Sequence, residues 1–196
     1  MISRKAVIIL GSPGTGKTTL AKNLAKHFNV ECIDISKIAE EAGFLLGVDR
    51  KRDTKIADTD RLASRLRRKI ADSQKGIIME GHYADIIPSE DVSVAIVLRT
   101  SPEVLSLKLR KRGWKEVKIA ENVQAEILSI CLVNALKAYG ESKVYELDTT
   151  NLSPQETFKQ VLKILRGEEA GEYRVGKIDW LELIDEKGKL KEFFKR

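Results

Sequence analysis

The sequence of 196 residues holds only two cysteines, Cys32 and Cys131. They stand far apart and make no CxxC or other zinc spacing. That excludes a disulfide scaffold and a cysteine-built zinc site, and the expectation is two buried thiols in a reducing cytoplasm. Long apolar runs are also missing. The longest near the middle, Val92 to Leu98, falls far short of a bilayer span, so no membrane association is expected. Met1-Ile2-Ser3-Arg4-Lys5 leads straight into a strand-like segment with no cleavage site, and reads as mature sequence. Asn and Gln are sparse beside abundant charge, which leans toward a thermophilic source. No internal repeat, low-complexity segment, RNA-binding module or NKxD guanine motif is found.

What is present suits one domain with a short appendage. Hydrophobic residues make up 42% and charged residues 33%, which excludes wholesale disorder. The net charge of +6 is unevenly placed. Residues 50–69 carry nine Lys/Arg against three Asp, residues 99–118 carry seven against two Glu, and the rest is net acidic. Such blocks are either two solvated helix faces or a cationic cleft for phosphates.

Strand and helix signals alternate along the chain. Ala6–Leu10 is a continuous apolar run, as for a strand buried on both faces of a parallel sheet. Thr18–Phe28 has helical spacing, Glu31–Asp34 reads as a strand, and Ile35–Ala42 as a helix ended by Gly43. Residues 44–57 read as irregular and basic. Asp58–Ala71 is an expected helix, and Gly76–Glu80 and Val92–Leu98 are expected strands. Thr100-Ser101-Pro102-Glu103 has the form of a capping box opening a helix to about Lys111. Lys115–Tyr139 reads as one long amphipathic helix, Lys143–Asp148 as a strand, and Ser153–Glu156 as the cap of a helix to Leu165. The expected fold is α/β, with a five-stranded parallel doubly wound sheet over residues 1–166. Residues 167–196 form an extension with one helix over 178–194, whose Trp180 is expected to pack on the core.

The decisive motif is Gly11-Ser12-Pro13-Gly14-Thr15-Gly16-Lys17-Thr18, a GxxxxGK[ST] phosphate loop between a strand and a helix. Glycines let the backbone wrap a phosphate with its N–H groups turned inward, and the helix adds its positive end. Lys17 then supplies a charge to the β- and γ-phosphates, and Thr18 a hydroxyl to Mg²⁺. Glu80 ends an apolar strand, where a carboxylate reaches the carboxyl edge of the sheet and can hold Mg²⁺ through water. His82 points to the same side if the strand continues. His27, at a helix end, has no specific expected role.

Several segments together carry a resemblance. They are Gly11–Thr19, Asp58-Thr59-Asp60-Arg61, Glu80-Gly81-His82-Tyr83-Ala84-Asp85-Ile86, Leu98-Arg99-Thr100, Arg112-Gly113-Trp114 and Glu121–Ile127. Over roughly residues 5–165 and into the Trp180 tail, the chain resembles the adenylate kinase isoenzyme 6 family, the coilin-interacting nuclear ATPase class, in its archaeal form. The resemblance implies the P-loop nucleoside monophosphate kinase fold and ATP-dependent phosphorylation of AMP or another monophosphate, with slow ATPase activity. It also implies late maturation of the small ribosomal subunit, with transient binding of an S11-type ribosomal protein. By carry-over, Gly14, Thr15, Gly16, Lys17, Thr18 and Thr19 hold ATP with Mg²⁺, and Arg112 reaches it from a lid at about 111–121. Residues about 36–59 form the monophosphate region, with Arg50, Arg52 and Asp58 as candidate contacts. Lys17, Arg112, His82 and Glu80 are the candidate catalytic set, and a monomer is expected. Two departures stand out: Ala39-Glu40-Glu41 where the family often has an arginine, and Lys108 where it has a second. They leave open a nucleotide-switched assembly ATPase with negligible kinase activity. The basic blocks also permit rRNA contact as a secondary role.

Overall fold

The computed structural model describes residues 4–49, 54–83 and 86–194. Strand β1 (Ala6–Gly11) is buried at every position, as its unbroken apolar run requires. It lies at the centre of a five-stranded sheet of order β2-β5-β1-β6-β7, with β2 at Cys32–Asp34, β5 at Ile77–Glu80, β6 at Val92–Arg99 and β7 at Val144–Asp148. Every pairing is parallel. The expected doubly wound α/β fold is therefore the one observed.

Helices cover both faces. On one side α2 (Ile35–Glu41), α3 (Thr59–Asp72) and α6 (Ile130–Tyr139) bury Ile35, Leu62, Leu66 and Ala135 against Ile8, Leu10 and Val97. On the other, α1 (Lys17–Phe28) and α7 (Pro154–Arg166) bury Leu20, Leu24, Val161 and Ile164 against Val7, Ile9 and Ile96. A third apolar cluster joins α4 (Pro102–Lys111) and α5 (Glu116–Ile127) to the C-terminal segment through Leu105, Leu109, Ile119, Val123 and Ile184.

Five local expectations are corrected. Residues 44–57, read as irregular, contain two strands: β3 (Leu45–Asp49) and β4 (Thr54–Ala57) pair antiparallel as a separate two-stranded sheet. The two strands are short and Gly47 interrupts the first, so neither shows the clean alternation that would mark a strand. The long helix over 115–139 breaks into α5 and α6 with a 51° bend. Ser129 takes a left-handed φ of 54° at the break, and its Oγ accepts a hydrogen bond from the buried Arg99 guanidinium. The capping box at Thr100 does not form. Ser101 is the N-cap without a side-chain bond, and Thr100 Oγ1 instead pairs with Thr149 Oγ1 at 2.9 Å. By contrast, the Ser153–Glu156 box closes in both directions. The C-terminal helix is two short ones, α8 (Trp180–Glu186) and α9 (Leu190–Phe193), divided around Gly188. Trp180 is buried as expected, whereas both cysteines are only half-buried free thiols. Among the described residues, no single helix is long and apolar enough to cross a membrane.

Candidate functional site

The site grows from the carboxyl end of β1. Residues 12–16 leave the strand as a tight loop, and Gly16 caps α1 at a φ of 100°. Gly14 has a φ of 97°, and a Cβ there would meet Leu105 Cδ1 at 3.0 Å. A side chain at either position works against the backbone that turns the loop's N–H groups inward. Ser12 is the loop's internal pivot. Its carbonyl accepts from Lys17 Nζ at 3.0 Å, Thr15 Oγ1 at 2.9 Å and Thr15 N at 3.3 Å. Lys17 is buried at the start of α1, and that desolvation lowers its amine's pKa. Glu80 opposes the shift and the Arg112 charge adds to it. Thr15 is buried, and its carbonyl lies 3.3 Å from Thr149 Oγ1 at the end of β7. Thr18 and Thr19 are exposed on the first turn of α1.

The parallel register sets Glu80 of β5 beside Ile9 of β1 and Asp34 of β2. Glu80 is buried there, and its Oε1 accepts from Thr18 Oγ1 at 2.6 Å. Burial, reinforced by Asp34, raises the Glu80 pKa, while the Thr18 bond and Lys17 oppose the rise. A hydroxyl and a carboxylate in contact beside a phosphate loop fit a Mg²⁺ ion, which takes few protein oxygens and completes its shell with phosphates and water. Thr18 and Glu80 are the residues that would hold it.

His82 stacks on Tyr83 with centroids 3.9 Å apart. It is open to solvent on one side, but surrounding protein, then the Lys17 charge, lower its pKa to about 4. It is therefore a neutral imidazole at pH 7. A cleft of about 570 Å³ starts at Ser12, Pro13 and His82 and runs between α2 and the α5–α6 corner. Ser36, Glu40, Trp114, Lys118, Glu121, Asn122, Cys131 and Asn134 line it. Lys118 Nζ stands over the Trp114 ring at 5.2 Å.

The remaining predicted residues divide. Arg112 is exposed at the C-terminal end of α4, near enough for its charge to act on Lys17 and Lys108. Asp58 caps α3, its Oδ1 accepting from Arg61 N at 3.1 Å. Arg50 and Arg52 lie outside the described residues. His27 packs edge-on against Phe28 and Phe158. Sequence reasoning missed Ser12 as the pivot, Asp34 as the second carboxylate near Glu80, and Glu126, which meets Ser12. Asp34 had a legible signal, since it ends an apolar strand as Glu80 does. Glu126 lies within the Glu121–Ile127 segment but shows no sign of its partner there.

A parallel sheet of this order, with the loop at the end of its central strand and helices on both faces, defines a P-loop NTPase fold of the kinase type. Comparison with protein families matches residues 7–129 to the AAA domain. A protein of Pyrococcus abyssi described as "Putative adenylate kinase" is 33% identical over 180 residues, covering 92% of this chain and 93% of that protein. One of the same description from Methanosarcina barkeri is 36% identical over 183 residues, covering 90% and 97%. Among solved structures, thymidylate kinase from Candida albicans superimposes with a TM-score of 0.56 at 14% identity, covering 83% of this chain and 91% of that one. The chain belongs to this adenylate-kinase-like family, and its residues 7–129 match the AAA domain.

Proposed function

We propose that the chain is a nucleoside monophosphate kinase that transfers the γ-phosphoryl of ATP to AMP or a related monophosphate, with a slower ATPase activity. The observation that carries this reading is the acceptor-sized cleft that begins at the loop itself, at Ser12 and His82. An ATP phosphate chain held by Gly14, Thr15, Gly16, Lys17, Thr18 and Thr19 would present its terminal phosphate to a molecule in that cleft.

ATP and a monophosphate together bring about six negative charges, since each terminal phosphate has a second pKa near 6. Transfer between them needs alignment and charge neutralisation more than proton movement. Lys17 leaves its bond to the Ser12 carbonyl and takes the β/γ oxygens. Thr18 and Glu80 would hold Mg²⁺, Glu80 through water, and the ion would supply positive charge to the phosphates. Arg112, at the foot of a lid over 111–121, adds a second cation. A monophosphate is already an oxyanion, so no general base is required. Water is a poorer nucleophile, and a neutral His82 at the cleft mouth can orient it. His82 therefore serves hydrolysis more than transfer.

A second reading keeps the nucleotide site and makes transfer incidental: an assembly ATPase in the cytoplasm that changes its affinity for an S11-type ribosomal protein. The lining of the cleft favours it in one respect. Among the described residues that line it, Lys118 is the one Lys or Arg, beside the carboxylates of Glu40 and Glu121. That is thin neutralisation for an acceptor phosphate. The two readings separate on ADP formation from Mg–ATP with a panel of monophosphates. Acceptor-dependent ADP, lost in Lys17→Ala, supports the kinase. Nucleotide turnover indifferent to every acceptor supports the switch.

A further inference from the structure

Ser12, Glu126, Arg99 and Glu146 form a chain of buried bonds that runs from the phosphate loop to the C-terminal segment. Glu126, on α5, is 2% exposed and fully engaged. Its Oε2 accepts from Ser12 Oγ at 2.6 Å. Its Oε1 accepts from Arg99 Nε at 2.7 Å, Trp180 Nε1 at 3.2 Å and Thr100 N at 3.3 Å. Arg99 is itself 1% exposed and reaches Glu146 at 3.4 Å. The other Glu146 oxygen accepts from the backbone N–H groups of Lys177 and Ile178, at 2.8 and 3.2 Å. The C-terminal segment thus ends this network twice, through the Trp180 indole and through two main-chain donors.

Such a network is costly if any member is left unpaired, because desolvated charges and acceptors have no water to turn to. A core of this size could have been closed with apolar residues. The polar solution instead fixes the orientation of one carboxylate. That carboxylate grips the hydroxyl of Ser12, the residue whose carbonyl holds Lys17 and Thr15. The helix that carries Glu126, α5, begins at Glu116 inside the proposed lid, and the C-terminal segment holds it again where Gln124 Nε2 donates to the Phe193 carbonyl at 2.7 Å.

We infer that Glu126 is a positioning residue for the phosphate loop and that residues 177–193 act through it to hold the loop in its nucleotide-binding shape. The inference rests on reading residues 11–18 as a nucleotide phosphate loop. Glu126 touches no nucleotide in this account, and neither does Trp180; both act through Ser12. Because the coupling is a free energy shared by two sites, it also runs in reverse, and a bound nucleotide tightens the segment.

Replacing Glu126 risks the fold, since Arg99 would lose its nearest counter-ion. Trp180→Phe is the gentler change: it removes one donor and keeps an aromatic ring in the cavity. The test is a double-mutant cycle on Mg–ADP affinity, measured by calorimetry with Trp180→Phe, Ser12→Ala and the double variant. Trp180→Phe is expected to raise the dissociation constant about three- to tenfold, the span of moderate couplings. In the Ser12→Ala background the same change should have no further effect, because the link is already cut. A melting temperature recorded for each variant separates this from loosened packing. The inference is overturned if Trp180→Phe lowers the melting temperature but leaves the dissociation constant alone. It is equally overturned if the two effects multiply independently. Failure of the unaltered chain to bind Mg–ADP would instead contradict the phosphate-loop reading beneath it.

Discussion

Thr18 Oγ1 and Glu80 Oε1 lie 2.6 Å apart, one on the first turn after the loop and the other at the end of the neighbouring strand. Their contact closes the gap in which a phosphate-bound Mg²⁺ would sit. Glu80→Gln keeps the shape and removes the charge. As a ligand acting through water it is expected to cost about 10- to 100-fold in activity, with a higher Mg²⁺ requirement. Stability should move the other way. Burial raises the folded pKa of Glu80. The native state then holds this proton more tightly than the unfolded state, so the contribution to stability is lost as pH rises through the folded pKa. At pH 7 Glu80→Gln should melt at the same temperature as the unaltered chain or higher. A lower melting temperature with unchanged Mg²⁺ dependence would contradict the assignment.

His82 gives a pH prediction with the opposite proton. Its folded pKa of about 4 lies below the usual 6.5. Between those values the unfolded chain takes up a proton that the native chain refuses, so stability falls as pH drops through this window. A nuclear magnetic resonance titration of the imidazole should find its midpoint well below 6. No change in rate between pH 6 and 8 should then trace to His82. His82→Ala should slow release of inorganic phosphate more than acceptor phosphorylation. Equal loss of both would remove the division of labour proposed for it.

The loop backbone supplies a third prediction. Gly14→Ala places a methyl group 3.0 Å from Leu105 at a φ that favours glycine. Such strain costs about 1–3 kcal/mol, read as a lower midpoint in denaturant with an unchanged slope. Leu105 and the α4–α5 cluster around it must shift to admit the methyl group, so nucleotide affinity should fall with it.

Two caps that look alike in sequence should respond differently. Ser153 accepts from Glu156 N, whereas Ser101 makes no cap bond. Ser153→Ala is expected to cost about 0.5–2 kcal/mol by loss of the cap. Ser101→Ala should cost nothing by that route. Chemical denaturation of the two variants in parallel makes the comparison.

That contrast shows where local sequence stops being informative. Ala6–Leu10 and the glycine-rich loop declare themselves because their physics is local: burial on both faces, and turns that need glycine. Glu80 was legible for the same reason, as a carboxylate ending an apolar strand. The break at Ser129 and the idle Ser101 cap were not. Both depend on partners far along the chain, Arg99 for the first and the Thr100–Thr149 pair for the second. Glu126 is the clearest case, since nothing near it in sequence announces Ser12 or Trp180. The β3–β4 pairing was missed because its strands are short and Gly47 interrupts the first. Asp58, read as a ligand candidate, also caps α3 through its Oδ1.

In the reading proposed here, phosphate passes from ATP to a monophosphate rather than to water. The most direct test follows ATP, AMP and Mg²⁺ together with the protein by phosphorus magnetic resonance. The kinase account predicts that ATP and AMP resonances decline together, two ADP appear for each ATP lost, and free phosphate grows only slowly. Growth of free phosphate in step with ATP loss, with the AMP resonance unchanged, would contradict it.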